Sequence, residues 1–239
     1  LLSPHTIQKF YQPMTKSTKT QNNPPKKATA NSKRKRRLAT QDSRDAILDA
    51  ALIEFSALGF KGSSIRNIGK RAKVDFTLIT YYFGNKETLW QEVLIRGAAK
   101  HAAAAGQPFS ELAKTPGQQL RLRLRREYEF ASSSDSLYHM VMIELRSKGC
   151  PRLEWLTQNF LKPAYESALP MIEAAQASGE IAQGDPLLLY ELLQVGIRAL
   201  ISTSQHHELI AAKPANHPAT QAAFWELVEQ LFFANVKQT

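Results

Sequence analysis

Between Asp42 and Val93 the apolar residues recur with a helical period, yet the pattern is interrupted repeatedly at very short intervals. Ile47, Ala51, Phe55 and Leu58 form one stripe, with Thr40 or Asp42 as cap candidates and Gly59 as the stop. Ser63 or Ser64 opens a second, short helix whose inward residues are Ile65, Ile68 and Ala72. Lys73-Val74-Asp75 then leads to a third, for which Asp75 is a good N-cap and Ile79 and Phe83 face inward. Gly84-Asn85 ends it, and Asn85 caps a fourth helix carrying Leu89 and Val93. Helices this short do not persist alone, so the pair must pack on the longer helix before it. Two short helices joined by a tight turn are a helix-turn-helix, which presents its second helix to a DNA groove.

The rest of the chain is helical with frequent punctuation. Pro108, Pro116-Gly117, Ser132-Ser133-Ser134, Gly149-Cys150-Pro151, Gly179, Gly184-Asp185-Pro186 and His217-Pro218 divide it into helix-length pieces. Residues 120–126 alternate like a strand, but Leu120, Leu124 and Tyr128 also fit a helix, and a lone strand would have no partner. Asp185-Pro186 is a strong start signal for a helix reaching about Ser204, and the last helix is expected from about Pro218 to Val236. The expected fold is all-α. A three-helix, helix-turn-helix DNA-binding domain over 42–96 is followed by a larger helical effector-binding and dimerisation domain over 97–239.

Charge separates a further segment. Of a net +10, residues 1–41 hold ten Lys/Arg and no acid, which leaves 42–239 balanced at 21 against 21. This polar, Pro-containing stretch has no helical periodicity and is expected to be disordered. Its run Lys33-Arg34-Lys35-Arg36-Arg37 reads as a nucleic-acid-binding arm, a nuclear import signal or a solvated leader. The single Cys150 excludes an intrachain disulfide and fits a reducing, cytoplasmic setting. Leu187–Ile201 is interrupted by Glu191 and Arg198 and falls short of a membrane span, and the start lacks the apolar run of a secretory signal. His139 with Glu144, and His206-His207 with Glu208, lack the third partner that would make a metal site, and no phosphate-cradling loop or nucleophile motif appears. Neither metal, cofactor nor enzymatic activity is expected. An all-α enzyme and a non-sensing architectural DNA-binding dimer stand as the alternatives to a regulator.

Residues 50–60 (Ala50 to Phe60), the string Ser64-Ile65-Arg66-Asn67-Ile68-Gly69-Lys70-Arg71-Ala72-Lys73-Val74-Asp75, and Ile79 with Tyr81-Tyr82-Phe83-Gly84-Asn85-Lys86-Glu87-Thr88-Leu89 together resemble the tetracycline-repressor (TetR) family. The match departs from the family pattern in three places: Lys73 and Thr77 stand where glycine is usual, and Thr80 where tyrosine is frequent. Residues 151–156 and 179–186 also look like this family's ligand-binding domains. The resemblance implies a transcription regulator, most often a repressor, that is bacterial and cytoplasmic and whose effector changes the spacing of two DNA-reading heads.

With Ile79 and Phe83 turned inward, Thr77, Leu78, Thr80 and Tyr81 lie on the opposite side of the third helix and are expected to meet DNA. The resemblance adds Arg66, which can bind guanine in a bidentate manner. Tyr81 and Tyr82 can donate to phosphate, although Tyr82 can equally be a core aromatic beside Phe83. Lys86, at the start of the fourth helix, adds charge where free backbone N–H groups already favour a phosphate. One helix-turn-helix reads few base pairs, so a near-palindromic operator and a homodimer with heads about 34–36 Å apart are expected. Phe224, Leu227, Val228 and Leu231 are the interface candidates on an unusually wide apolar face, and the same width would also suit a buried core helix. Tyr128, Met142, Trp155, Tyr165, Gln194 and Arg198 are candidates for lining a small-molecule effector pocket, against an ordinary core role for each.

Overall fold

The computed structural model describes residues 30–104, 108–133, 135–147, 149–202, 204–214 and 216–233, and among them every regular element is a helix. The chain divides into two compact units, one ending at Ala99 and the other beginning at Lys100. No helix among the described residues is long and apolar enough to cross a membrane.

The first unit is built on α1 (Ala30–Gly62), α2 (Ile65–Ala72), α3 (Phe76–Phe83) and the first part of α4 (Lys86–Ala104). α1 starts upstream of the Asp42 cap that periodicity marks, so the end of the segment expected to be disordered is helical from Ala30. Residues 30–41 contain neither glycine nor proline, and their Ala, Lys, Arg and Leu propagate a helix already nucleated by the packed turns after them. Residues 1–29 lie outside the described residues. Ile47, Leu48, Ala51 and Phe55 are fully buried together with Ile68, Ile79, Leu89 and Trp90.

Leu58 departs from the expected stripe, being 53% exposed. Gly59 takes φ 65°, ψ 177°, a conformation costly for any other residue, and this breaks α1 one residue after Leu58. The break swings Phe60 back so that its ring stacks on Phe55, with centroids 6.1 Å apart. The place assigned to Leu58 is therefore filled by Phe60.

In the second unit the elements are α5 (Phe109–Leu112), α6 (Pro116–Ser133), α7 (Asp135–Leu145), α8 (Pro151–Leu156), α9 (Lys162–Ala177), α10 (Pro186–Ser202), α11 (Ser204–Ala211) and α12 (Pro218–Val228). Single π-helical turns, Thr157–Leu161 and Glu229–Phe233, join α8 to α9 and extend α12. The alternating segment 120–126 is helical, and Leu120, Leu124, Tyr128 and Ala131 of α6 are buried with Ala168, Ile172 and Ala175 of α9 and Leu189, Leu193 and Ile197 of α10. The expected end at Val236 lies outside the described residues.

Candidate nucleic-acid interface

The turn between α2 and α3 is set by backbone chemistry. Lys73 adopts the left-handed conformation (φ 56°, ψ 38°), and the N–H groups of Lys73 and Val74 donate to the carbonyls of Lys70 (3.2 Å) and Gly69 (3.0 Å). This is the Schellman closure, which normally recruits glycine at the position Lys73 holds. Gly69 matters for a second reason, because a Cβ there would lie 3.1 Å from the Val74 carbonyl and 3.4 Å from the Phe76 backbone. A side chain at this position would require the turn backbone to give by a few tenths of an ångström.

Asp75 caps α3 as expected, accepting from the Thr77 N–H at 2.8 Å and from the Thr77 hydroxyl. These two hydrogen bonds hold its carboxyl below the usual carboxylate range. Asn85 likewise accepts from the Thr88 N–H at 2.9 Å and opens α4. Ser64 occupies the N-cap of α2 in an extended conformation without a side-chain cap, while the Ser63 hydroxyl donates to the Phe60 carbonyl at 2.8 Å.

With Ile79 and Phe83 in the core, α3 presents Thr77, Thr80 and Tyr81 to solvent, and Tyr81 is 81% exposed. Leu78 and Tyr82 are half-buried, Tyr82 lying edge-on between Tyr81 (centroids 5.4 Å) and Phe83 (6.3 Å). Arg66 on α2 is exposed, its guanidinium 5.6 Å from the centroid of the Phe76 ring. Phe76 itself is 43% exposed and joins this face. Sequence reasoning left it out of the DNA-facing set, and the signal that could have found it is its place one residue before Thr77.

Lys86 is committed elsewhere. Its Nζ donates to the Phe60 carbonyl at 2.7 Å and the Ser63 carbonyl at 3.0 Å, and lies 4.4 Å from the Phe60 ring centroid. Carbonyls at a helix end carry the negative pole of the helix dipole, which attracts an ammonium as well as a phosphate would. The contacts of Lys86 therefore favour clamping the corner of α1 against α4 over the phosphate role suggested by its sequence position.

The effector-pocket candidates fall into separate groups in the second unit. Tyr128 is buried, stacked on Phe224 (centroids 5.6 Å) and edge-on to Trp225 (5.7 Å). Trp155 packs on Phe160 at 5.4 Å, Met142 is half-buried, and Arg198 pairs with Glu191 at 3.1 Å. Gln194 and Tyr165 meet a buried polar centre that the sequence reading did not identify. Arg123 is 2% exposed, donates to the Ala164 carbonyl (2.8 Å) and the Ser167 hydroxyl (3.0 Å), and its Nε lies 3.0 Å from a Glu127 carboxylate oxygen. That last N–H is not aligned as a donor, so charge rather than a hydrogen bond holds the pair. The other Glu127 oxygen accepts from the Gln194 amide. Tyr165 packs on Tyr190 at 5.5 Å, and burial together with the Glu127 charge pushes the phenols of Tyr190 and Tyr138 well above their ordinary range. The signal for this centre was present, since Arg123 and Glu127 stand one position before Leu124 and Tyr128, beside the inward stripe.

Of the interface candidates, Val228 is buried and Phe224 packs inward on Tyr128, whereas Leu227 and Leu231 are 54% and 63% exposed. The wide face is thus two faces, and only one of them is open. Among the described residues no group of three or more His, Cys, Asp or Glu is arranged to hold a metal ion.

Residues 47–93 match the family described as bacterial regulatory proteins, tetR family. The HTH-type transcriptional regulator RutR of Escherichia coli strain K12 is 33% identical over 156 residues, which cover 64% of this chain and 70% of RutR. The HTH-type transcriptional repressor NicS of Pseudomonas putida is 29% identical over 170 residues, covering 70% and 78%. Among solved structures, the fold is shared with the hemolysin II transcriptional regulator HlyIIR (TM-score 0.58, 22% identity, 73% of this chain and 98% of that one). It is also shared with the transcriptional regulator FadR of Bacillus subtilis in complex with stearoyl-CoA (TM-score 0.61, 21% identity, 77% and 96%). With the helix-turn-helix formed by α2 and α3 and a matching relative of this coverage, the chain belongs to the TetR family of helix-turn-helix, DNA-binding transcriptional regulators.

Proposed function

We propose that this regulator binds a near-palindromic duplex operator as a homodimer, with α3 in the major groove, and that a small molecule held in the second unit modulates the binding. The observation that carries the DNA reading is α3 itself, whose buried Ile79 and Phe83 fix it in place while Thr77, Thr80 and Tyr81 stand open. Arg66 would supply bidentate readout of guanine, worth about 1–3 kcal/mol of discrimination. Thr77, Leu78 and Thr80 would offer methyl and hydroxyl contacts, and Tyr81 and Tyr82 would donate to phosphate. Lys86 would act by positioning α4. The named repressor NicS among the relatives favours repression as the sign of regulation.

Dimerisation is supported by unpartnered leucines at helical spacing. Leu188, Leu192 and Val195 on α10 are 64%, 59% and 53% exposed, and with Leu227 on α12 and Leu231 on the π turn that extends it they make the kind of apolar face that a second copy would cover. Phe224 and Val228 belong to the subunit core behind it. Effector binding is supported by the polar centre around Arg123, Glu127 and Gln194, because a buried ion pair is seldom retained for stability alone. The fold neighbour crystallised with stearoyl-CoA shows that such a fold can hold a ligand in that protein. Effector binding would need only to favour one spacing of the two reading heads to change DNA affinity. A cytoplasmic location follows from this reading.

The test is footprinting of the purified protein on DNA flanking its own gene, with Arg66→Ala, Tyr81→Phe and the pair Leu192→Glu/Leu231→Glu. A two-fold protected site, relaxed in Arg66→Ala and lost in the leucine variant as it becomes monomeric, supports the proposal. Diffuse, salt-sensitive binding indifferent to Arg66→Ala would sink it in favour of an architectural DNA binder.

A further inference from the structure

A reading module must hold a polyanion, yet this one is almost neutral. Residues 42–96 contain eight Lys/Arg against seven Asp/Glu, and α3 carries no charged side chain at all. Three of the eight cations have partners inside the unit. Arg44 donates to Glu92 at 2.7 Å, Arg96 to Asp49 at 2.5 Å, and Lys86 to the Phe60 and Ser63 carbonyls. The other five, Lys61, Arg66, Lys70, Arg71 and Lys73, are exposed and cluster on α2 and its flanks. The cations of this count nearest the far end of α3 are Arg44 and Lys86, and both already have partners inside the unit.

The N-terminal turns of α1 are placed to fill that gap. The Arg44 guanidinium lies 5.2 Å from the centroid of the Phe83 ring, so α1 passes the C-terminal end of α3 at that point. The helix continues upstream without interruption to Ala30 and carries the run Lys33-Arg34-Lys35-Arg36-Arg37. At 1.5 Å per residue, that run stands about 10–16 Å along the helix axis beyond Arg44. A major groove is about 12 Å wide, so an element rooted beside the end of a helix lying in the groove reaches its phosphate lip at that distance.

We propose that Lys33–Arg37, on the helical extension of α1, is a second DNA-contacting element. It binds phosphates of the duplex flanking the bases beside α3 and supplies a large part of the affinity without reading sequence. The geometric part of this inference rests on α3 entering the major groove. Phosphate contacts position a protein on DNA but carry no base information.

The experiment uses the full chain with Lys33, Arg34, Lys35, Arg36 and Arg37 all replaced by Gln, a residue of similar helix propensity. Affinity for the footprinted site and for a random duplex is measured across a salt series, with a thermal melt as the folding control. Each lost phosphate contact flattens the slope of log affinity against log salt by about 0.9, so loss of two to five contacts predicts a change of roughly 2–4.5 per protomer. Both duplexes should lose affinity by the same factor, leaving their ratio intact. An unchanged slope overturns the proposal. So does a loss that depends on whether the flanks are A·T- or G·C-rich, since that places the segment in the minor groove. Tyr81→Ala is run in parallel: if it leaves site-specific binding intact, the placement of α3 fails, while the random-duplex slope still judges the basic helix on its own.

Discussion

Arg123→Ala tests the buried centre of the second unit most directly. The substitution removes a guanidinium that is 2% exposed, and with it the donors to the Ala164 carbonyl and the Ser167 hydroxyl and the charge opposite Glu127. The Ala164 carbonyl and Ser167 hydroxyl lose one partner each. The carboxylate is the costly remnant, because its side chain is only 11% exposed and it keeps a single neutral partner, Gln194. Breaking a buried pair from one side costs about 3–5 kcal/mol. At about 2–4 °C per kcal/mol for a protein of this size, Tm should fall by roughly 6–20 °C. The same argument makes an opposite claim for Arg123→Met/Glu127→Leu/Gln194→Leu, which removes every member of the network and leaves no charge unpaired. That triple variant should lie within about 1–2 kcal/mol of wild type, since apolar replacement of a buried pair is often neutral. Urea and thermal unfolding followed by circular dichroism and tryptophan fluorescence measure both. If Arg123→Ala costs less than about 1 kcal/mol, or the triple variant is as unstable as the single one, then an uncompensated Glu127 charge is not what makes the loss of Arg123 costly.

Three further outcomes are expected. Lys73→Gly should stabilise the first unit by roughly 0.5–1 kcal/mol in chemical denaturation, because glycine alone adopts φ 56° without strain, offset in part by its greater unfolded-state freedom. Lys86→Met should destabilise that unit by about 2 kcal/mol, as two charge-assisted hydrogen bonds to main-chain carbonyls are lost. A melt unchanged by Lys86→Met would return this lysine to the DNA surface. His101, packed against Phe130 with ring centroids 3.9 Å apart, is held neutral mainly by desolvation, its pKa lowered to about 4 from 6.5. The unfolded chain therefore binds the extra proton first, so stability present above about pH 6.5 should decline as pH falls towards 4. His101→Phe should flatten that part of the pH–stability profile, and an unaltered profile would show that His101 is not the titrating group.

What the chain determines locally could be read from the sequence. The stops at Gly59 and Gly84, the caps Asp75 and Asn85, and the inward pairs Ile79/Phe83 and Leu89/Val93 depend on neighbours within a few residues, where backbone sterics and hydrogen bonding operate. The all-helical architecture and the family followed from that local grammar. Tertiary structure decided what depends on distant partners. Phe60 displaced Leu58 because one glycine redirects the chain, and Lys86 found carbonyls more than twenty residues away. The apolar width of the last helix could not be divided into core and open face until Tyr128 claimed Phe224 and the core claimed Val228. Arg123 and Glu127 look like ordinary surface charges on a helix in the sequence. Only the packing of α6 against α9 and α10 takes them out of water, and that loss of solvent turns an unremarkable i, i+4 pair into the most consequential electrostatic feature of the second unit.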